Sequence, residues 1–487
     1  MKRLALMLSA LTGATVAATV VRTATFTHRQ VHVAAVAPLA IDGEAIAHRL
    51  SQAIQIKTVS SQSATAVNEQ EFGRFSEFLK TSFPRVHARF LREIINGQSI
   101  LFTWAGRNPN LRPLLLMGHI DVVPVDAATA KSWRYAPFSG AVAGGYVWGR
   151  GAMDDKAALM SILEAAEHLL NDGYEPERSI YLAFGHDEEI GGNNGAAKIA
   201  ELLRARGVAL EYVLDEGLNI FDGIIGGLSA PVALIGIAEK GYLSLRLNAQ
   251  TASGHSSIPP ADNAIGIISR VLQKLADAPF PAQLSGATRQ MLEYIGPEMS
   301  WPKQFALANL WLFEPLIKKQ LSASPLTNAT IRTTLVPTMF NAGVKENVLP
   351  PGAEAVINLR ILPGETIAST VERVRQVIDD TRVQVTALPL QAEPSAVADT
   401  ASASFQWLRQ TIAQTAPGVI VAPALLVATT DSRHYAGLTS NIFRFLPITV
   451  REEDTKRYHG IDERISIADY LRCVRFYAQL IRNSAKS

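Results

Sequence analysis

Short apolar runs alternate with segments of helical periodicity along the first half of the chain. The runs LLLMGHIDVV, YVWGRGAM, SIYLAFGHDEE and YVLDEG are typical of buried strands followed by turns. Between them, KAALMSILEAAEHLLNDG and NGAAKIAELLRARG carry apolar residues at helical spacing. Two earlier segments, IDGEAIAHRLSQAIQI and EQEFGRFSEFLKTSF, are also predicted to be helical. Strands that alternate with helices predict an α/β layer with its functional site at the carboxyl ends of the strands.

The pattern changes near residue 240. YLSLRLNAQT and EAVINLRIL alternate apolar and polar residues, as half-exposed antiparallel strands do. The predicted helices NAIGIISRVLQKLADA and STVERVRQVIDDT and the strand RVQVTAL accompany them. We therefore predict an inserted α+β domain at residues 240–388, with extra helices at about 280–325. It interrupts a larger α/β domain made of residues 40–239 and 389–487.

The amino terminus has the layout of a targeting segment. Lys2 and Arg3 precede eighteen residues without a charge, as in a secretory signal peptide. As a helix this stretch reaches about 27 Å, close to the thickness of a bilayer core. We predict that residues 1–30 are a signal peptide or a membrane anchor. The protein is then exported to a periplasmic, extracellular or lumenal location, with cleavage left open.

The composition is that of a globular protein. Of 487 residues, 48% are hydrophobic and 18% are charged, which is enough to bury a sizeable core. The formal net charge of +2 offers no basic face for a nucleic acid. The single cysteine, Cys473, makes no intrachain disulfide and fits a buried helix position.

Side chains of metal-ligand type follow the predicted strands. They are His119 and Asp121 in MGHIDVVP, Asp154 and Asp155 in GRGAMDDK, Glu188 and Glu189 in HDEE, Asp215 in LDEG, and His459 in YHGIDERI. Taken singly, each also fits a turn or a helix cap. Together they predict a metal, because carboxylates that converge on one cleft repel each other unless a cation is present. Two imidazoles with carboxylates and no thiolate favour zinc or another first-row metal.

Two zinc ions about 3.5–4 Å apart, bridged by one carboxylate, would use these groups and leave one glutamate over. In the Glu188-Glu189 pair, one side chain then binds metal while the other acts as a general base. Asp121 lies two residues after His119, on the same side of a strand, and is placed to orient the imidazole.

The chain resembles the M20 co-catalytic zinc peptidases and aminoacylases, and most closely the carboxypeptidase S and N-fatty-acyl-amino-acid hydrolase branch. The motifs that carry the resemblance are, in order, GHIDVVP, WGRGAMDDK, GHDEEIGG, LDEG, ASGHSSIPP, ENVLPPGAEAVINLR and RYHGIDERIS. They span roughly residues 40–485, and such an ordered series is far more specific than one motif. The resemblance implies a zinc-peptidase-like mixed sheet flanked by helices. It also implies a ferredoxin-like lid or dimerisation domain inserted at residues 240–388.

The resemblance also implies roles for individual residues. His119 and Asp215 are similar to the ligands of one zinc, Glu189 and His459 to those of the other, Asp154 to the bridging carboxylate, Glu188 to the general base, and Asp121 to the orienting aspartate. His255 of SGHSS resembles the histidine that stabilises the oxyanion, which the partner subunit supplies in dimeric members. Asn347 and Arg360, and with them Arg433 of TTDSRHY, resemble positions that hold the substrate carboxylate.

These roles imply hydrolysis of an amide bond next to a free carboxylate. The substrate is a short peptide, as for a carboxypeptidase, or alternatively an N-acyl amino acid, as for an aminoacylase. The cofactors are two Zn²⁺ ions, with Co²⁺ or Mn²⁺ as alternatives, and the partner is a second copy bound through the inserted domain. A binding protein that has lost the chemistry is the less favoured class. Trp301, Phe305, Trp311 and Phe313 either belong to the core or line a groove for a hydrophobic chain.

Overall fold

The computed structural model describes residues 2–37, 39–61 and 69–486 of the chain. Its helices are α1 Lys2–Ala24, α2 Gly43–Gln55, α3 Glu69–Ser82, α4 Pro84–Arg89, α5 Lys156–Asn171, α6 Ala196–Ala205, α7 Ala264–Asp277, α8 Gly286–Ile295, α9 Trp301–Ala308, α10 Leu310–Leu321, α11 Pro325–Ala329, α12 Ile367–Ile378, α13 Ala403–Thr415 and α14 Ile467–Ser484. Its strands are β1 Leu91–Ile95, β2 Ser99–Trp104, β3 Leu114–His119, β4 Val142–Ala143, β5 Tyr146–Trp148, β6 Ile180–Gly185, β7 Tyr212–Phe221, β8 Val232–Glu239, β9 Gly241–Gln250, β10 Gly254–His255, β11 Thr334–Ala342, β12 Val348–Leu349, β13 Gly352–Ile361, β14 Val383–Ala392, β15 Ile420–Leu426, β16 Ile442–Val450 and β17 Arg464–Ser466.

An eight-stranded mixed sheet forms the larger domain, in the order β1-β2-β6-β3-β7-β16-β8-β15. Its central strands β6, β3, β7 and β16 run parallel. Leu114 and Leu116 of β3 face the core that contains α5 and α14, whereas Leu115 and Met117 face a second core with α6. Burial on both faces explains why these strands are continuously apolar. The predicted α/β fold, a mixed sheet flanked by helices, is confirmed.

The inserted domain is an antiparallel sheet in the order β11-β13-β9-β14, covered by α7 and α12. Its chain order of strand, helix, strand, strand, helix and strand is the ferredoxin-like arrangement. Leu243, Leu245 and Leu247 of β9 all face the helices, as the period-two alternation predicts. The inserted α+β domain is therefore present with the predicted topology.

The helices between α7 and β11 do not join the core of the inserted domain. Leu292 of α8 and Leu310 and Ile317 of α10 belong to the apolar core of the larger domain, and α8 packs along β15. The chain thus leaves the inserted domain after α7 and returns to it at β11. This corrects the expectation that residues 280–325 are part of the inserted domain. A helical pattern shows which face of a helix is apolar, but it does not show which core that face joins.

The aromatic residues of this region form a cluster near the surface, in which Phe313 is partly buried and packs against the core of the larger domain. Trp301 and Trp311 are 66% and 50% exposed. The ring of Phe305 stacks on Trp301 at 5.3 Å and contacts Phe313 at 5.7 Å between centroids. None of the four rings lines the cavity at the carboxyl ends of the strands. The four aromatic side chains therefore do not form a groove at the cavity beside the carboxyl ends of the strands.

The last turns of α1 contact the body of the protein. Thr19 is buried, and the Asn309 amide donates hydrogen bonds to the Thr19 carbonyl and the Thr23 hydroxyl. Earlier turns expose Leu4 and Leu11. In the part of the chain that the structure describes, no helix is both long enough and apolar enough to cross a membrane. Export, and the fate of residues 1–30, stay predictions.

Candidate active site

Acidic and imidazole side chains converge at one edge of the large sheet. His119 is the last residue of β3, Glu188 and Glu189 follow β6 in a 3₁₀ turn, and Glu216 lies in β7. Because β6, β3 and β7 are parallel neighbours, their carboxyl ends meet at the same edge. Strand ends therefore bring together residues that are up to 97 positions apart in the sequence.

Two loops reach the same edge and are tied to each other by a buried ion pair. The Glu463 carboxylate accepts hydrogen bonds from the backbone N–H groups of Met153 at 2.8 Å and Asp154 at 3.2 Å. Arg150 donates to Glu463 at 2.5 Å and to the carbonyl of His459 at 3.0 Å. Glu463 and Arg150 thus set the positions of Asp154 and His459 together. Sequence reasoning missed both, although Glu463 lies inside the same motif as His459.

Two groups of ligand-type side chains share Asp154. In the first, His119 Nε2 lies 3.0 Å from Asp154 Oδ1 and 3.3 Å from Glu216 Oε1. In the second, His459 Nε2 lies 3.1 Å from Asp154 Oδ2 and 3.2 Å from Glu189 Oε2. Each oxygen of the Asp154 carboxylate therefore faces a different group, which is the arrangement a bridging carboxylate needs.

The donor set fits a pair of divalent metal ions. Around a tetrahedral zinc ion with bonds of about 2.0–2.2 Å, neighbouring ligand atoms lie about 3.3 Å apart. The contacts of 3.0–3.3 Å within both groups agree with that spacing. Hydrogen bonds to Asp154 and Glu189 raise the pKa of His459 to about 10, and burial raises the pKa of Glu216 to about 8. In the absence of metal, protons reduce the repulsion between these carboxylates. Bound cations would reduce it instead.

Asp121 supports both His119 and the Glu188-Glu189 turn. His119 Nδ1 donates to the Asp121 backbone carbonyl at 2.8 Å and lies 3.3 Å from its carboxylate. The two oxygens of that carboxylate accept the backbone N–H groups of Glu188 and Glu189, each at 3.1 Å. With its Nδ1 proton held there, His119 presents the lone pair of Nε2 to the cluster.

Glu188 faces the cavity without a fixed partner. Its carboxylate belongs to neither ligand group, and no donor among the described residues forms a hydrogen bond to it. Burial, together with the carboxylates of Asp431, Glu216 and Glu189, raises its pKa well above the usual value for glutamate. A half-buried carboxyl group that has a raised pKa and no hydrogen-bond donor is chemically suited to exchange protons with a bound molecule.

The structure corrects the prediction that Asp215 joins His119 and Asp154. Glu216 occupies that place, while the Asp215 carboxylate accepts the backbone N–H groups of Ser432 and Glu216, both at 2.9 Å. The cause is a bulge in β7: Asp215 pairs with Arg444 of β16, and the next paired residue of β7 is Leu218. Such a bulge re-aims the side chains that follow it, so the position of the LDEG motif does not show which of its two carboxylates faces the cluster. The signal in the sequence was the glycine that follows, Gly217, whose φ is +134°.

His255 and Asn347 lie away from the cluster in the single chain. His255 is exposed in the short strand β10 and shares a hydrogen bond of 2.7 Å with the Ser257 hydroxyl. The Asn347 carbonyl accepts the backbone N–H of Ser256 at 3.2 Å. Neither residue lines the cavity that contains the ligand groups. The structure does not bring these two predicted site residues to the carboxylates.

Arg360 and Arg433 are held by neutral partners. The Arg360 guanidinium stacks on the Tyr242 ring at 4.7 Å. Burial, with the nearby charge of Arg433, lowers the pKa of Arg360. Arg433 donates to the carbonyls of Thr430 at 2.8 Å and Gly191 at 2.6 Å. Neither guanidinium forms an ion pair with a carboxylate among the described residues, although the charge of Arg433 acts on nearby Asp431.

A cavity of about 370 Å³ opens at the cluster. Asp154, Glu188, Glu189, Glu216 and His459 form its polar wall. Its other walls are formed by Gly217, Asn219, Phe221, Leu426, Ala428, Thr429, Thr430, Val450, Thr455 and Tyr458. Sequence reasoning missed these walls because they come from four separate parts of the chain. The cavity therefore joins a metal-ligand cluster to an apolar end.

Comparison with known proteins identifies the family. Peptidase family M20/M25/M40 matches residues 115–483 of the chain. The chain is 43% identical over 477 residues to the probable carboxypeptidase S-like 2 of Dictyostelium discoideum, covering 96% of this chain and 91% of that protein. It is 42% identical over 446 residues to the N-fatty-acyl-amino acid synthase/hydrolase PM20D1 of Xenopus tropicalis, covering 89% of this chain and 85% of that protein.

A solved structure shares the fold. The M20 family metallo-carboxypeptidase Sso-CP2 from Sulfolobus solfataricus matches with a TM-score of 0.66 at 18% identity, over 91% of this chain and 99% of that chain. Fold, family match and extended sequence identity all agree with the ligand groups at the sheet edge. The chain therefore belongs to peptidase family M20/M25/M40, and it is an enzyme of the metallopeptidase and amidohydrolase class.

Proposed function

We propose that the protein is a dinuclear metal hydrolase that cleaves an amide bond next to a free carboxylate. The observation that carries this proposal is the Asp154 carboxylate, whose two oxygens face different ligand groups beside the unpartnered Glu188. His119, Asp154 and Glu216 would hold one ion, and Asp154, Glu189 and His459 the other. When bound, the ions supply Lewis acidity that polarises the scissile carbonyl and makes water a stronger acid. Zn²⁺ suits this imidazole and carboxylate set, with Co²⁺ or Mn²⁺ as alternatives.

Glu188 is the proton carrier in this proposal. Its carboxylate lines the cavity next to both ligand groups and is not engaged by another side chain. It would accept a proton from the attacking water and return that proton to the nitrogen of the leaving amine. The surroundings that raise its pKa make this carboxylate a stronger base than an ordinary glutamate, which favours acceptance of a proton from water.

Arg360 and Arg433 would recognise the free carboxylate of the substrate. Neither guanidinium forms an ion pair with a carboxylate among the described residues, and a fork of N–H donors matches a substrate carboxylate. Arg360 lies on β13 of the inserted domain and Arg433 belongs to the larger domain. A substrate carboxylate between them would couple the two domains.

The apolar end of the cavity favours N-acyl amino acids as substrates. Phe221, Leu426 and Val450 form walls that suit a hydrocarbon chain. The relative from Xenopus tropicalis is named for N-fatty-acyl-amino acids, which agrees with this choice. A carboxypeptidase acting on short peptides is the second candidate, because the Thr429 side chain on the same walls offers a hydrogen bond to a peptide group. The name of the Dictyostelium relative also fits that candidate.

Narrowing the apolar end is expected to shorten the preferred acyl chain. In Leu426→Phe, kcat/KM for N-dodecanoylleucine should fall by at least about tenfold relative to N-acetylleucine, because a few lost methylene contacts cost about 1–3 kcal/mol. Release of free leucine measures both reactions, and a leucine-containing dipeptide tests the carboxypeptidase alternative.

Leu425→Phe is the matched control for that experiment. Leu425 precedes Leu426 in β15 but faces the apolar core and not the cavity. It should lower thermal stability without changing the preference for chain length. Faster cleavage of the dipeptide than of either N-acyl substrate would establish the carboxypeptidase and exclude the acyl-chain proposal.

His255 would act on the site of a second copy of the chain. It is exposed in the single chain, and the edge strand β11 of the same domain exposes Val336, Met339 and Phe340. An unpaired sheet edge with apolar side chains favours pairing with another strand. We propose a homodimer through the inserted domain, in which His255 stabilises the oxyanion in the cleft of the partner subunit.

Mixing two inactive variants is expected to restore activity. His255→Ala and Glu188→Gln should each be inactive alone. After subunit exchange, a heterodimer carries one site with Glu188 from one chain and His255 from the other. Random exchange then restores about one quarter of the wild-type activity, since half of the dimers are mixed and each has one complete site. Subunit exchange without any recovery would show that His255 does not act across an interface.

A further inference from the structure

A second cavity, of about 220 Å³, lies between the end of β16, the strand β17 and the first turn of α14. Its walls include Met153, Ile448, Thr449, Ser466 and Ala468. It shares none of its lining residues with the cavity that contains the metal-ligand groups. None of the catalytic roles proposed above uses it.

Charged side chains line this second cavity, and most of them are neutralised by each other or by neighbours. Arg472 pairs with Asp469 at 2.6 Å. Arg451 pairs with Asp222 at 3.1 Å, and Asp454 pairs with Arg457 at 3.1 Å. After these pairs, one charged side chain that lines the cavity has no ion-pair partner among the described residues.

Arg464 supplies that remaining charge. It lines the cavity, and no carboxylate among the described residues forms an ion pair with it. Its Nε atom is buried and forms no hydrogen bond. Within the described part of the chain, the cavity therefore carries one uncompensated positive charge.

Aromatic rings hold the Arg464 guanidinium in place. It stacks over Tyr146 at 4.2 Å and over Trp148 at 4.7 Å, and Arg464 pairs with Trp148 across the β17–β5 ladder. Stacking on a ring face engages the plane of the guanidinium and leaves its N–H edge free to donate. The group is thus oriented before any ligand arrives, which lowers the entropic cost of binding.

We propose that this cavity binds a short-chain monocarboxylate. One uncompensated guanidinium matches one carboxylate in a two-pronged hydrogen-bonded pair. Met153, Ile448 and Ile465 provide apolar walls for a short hydrocarbon tail. The cavity volume of about 220 Å³ suits a small ligand. A phosphate, with about two negative charges, would leave one charge unmatched beside Asp454 and Asp469.

The cavity lies next to residues that position the metal-ligand groups. Arg464 follows Glu463, whose carboxylate holds the backbone of Met153 and Asp154. Met153 itself lines the cavity. Direct binding is therefore the primary readout, because it stays interpretable whether or not the protein hydrolyses amides.

Calorimetry with sodium butyrate tests the proposal on the full chain, with sodium chloride at equal ionic strength as the reference. Wild type should bind butyrate with a dissociation constant in the millimolar range. In Arg464→Gln the affinity should fall at least tenfold, because the charged fork is lost. Arg134→Gln is the matched control. Arg134 also stacks over Trp148, at 5.6 Å, but it does not line the cavity. The affinity of this variant for butyrate should therefore equal that of wild type.

Two outcomes would overturn the proposal. One is no butyrate binding to wild type beyond the chloride reference. The other is equal binding to wild type and Arg464→Gln, which would place the butyrate elsewhere, including at the metal-ligand cluster. If Arg464→Gln does not fold, Arg464→Lys replaces it: the charge stays but the fork is lost, and binding should weaken by several fold. Unchanged binding in a folded Arg464→Lys would equally overturn the two-pronged contact.

Discussion

Replacing Glu188 by glutamine is expected to lower kcat by about 10²–10⁴-fold while the metal content of the protein stays unchanged. The Glu188 carboxylate lines the cavity but belongs to neither ligand group, so an amide of the same shape should not disturb the metals. The amide cannot accept and return a proton, so the rate of the chemical step should fall while metal binding stays the same. Kinetics on an N-acyl amino acid, with elemental analysis of the same preparation, measure both quantities.

Glu201→Gln is the control for this substitution. Glu201 lies on α6, is exposed and pairs with Lys198, so its loss should change neither kcat nor metal content. If Glu188→Gln instead lost metal, Glu188 would be a ligand and the assignment of the base would be wrong. If it kept more than about one tenth of the wild-type kcat, another group would have to carry the proton.

Replacing Glu216 by glutamine is expected to weaken the binding of one metal ion by at least about 100-fold. Groups that only orient a ligand already contribute about 10–100-fold to metal affinity, and a ligand should contribute no less. Glu216 Oε1 lies 3.3 Å from His119 Nε2, so the loss should be confined to the first group. Titration with a metal-sensitive dye would then show one strong site per chain in place of two.

Asp215→Asn is the matched variant, because it changes the adjacent carboxylate in the same way. Asp215 is 2% exposed and accepts the backbone N–H of Ser432, a bond that an asparagine oxygen can still accept. Both strong metal sites should therefore survive, with a smaller loss of activity. The opposite result, metal loss in Asp215→Asn and not in Glu216→Gln, would restore the assignment made from the sequence.

Local patterns predicted most of the scaffold. Apolar runs marked the buried strands, period-two alternation marked β9 and β13, and helical spacing marked α5, α6 and α14. These patterns are reliable because burial on one or both faces of an element imposes a residue period that neighbours along the chain already show. The ends of parallel strands also predicted that His119, Glu188 and Glu189 would meet, since topology alone brings such ends to one edge.

Where neighbouring residues compete for one place, the sequence could not decide. Asp215 and Glu216 are both acidic and adjacent, and a bulge in β7 selects Glu216. That bulge depends on the pairing of β7 with β16, which begins more than 200 residues later in the chain. Gly217 marks a place where a bulge can form, but a local pattern does not show which distant strand pairs there.

Residue chemistry and order along the chain were enough to predict a two-domain α/β hydrolase and the kinds of side chain at its centre. Tertiary structure alone decided three further points: the carboxylate of LDEG that faces His119, the core that α8 and α10 join, and the exposure of His255 away from the cluster. The same holds for Arg464, whose lack of a partner follows from contacts among four separate segments. The physical reason is common to all of these cases. A side chain's type is a local property, whereas its partners depend on which distant surfaces the fold brings into contact.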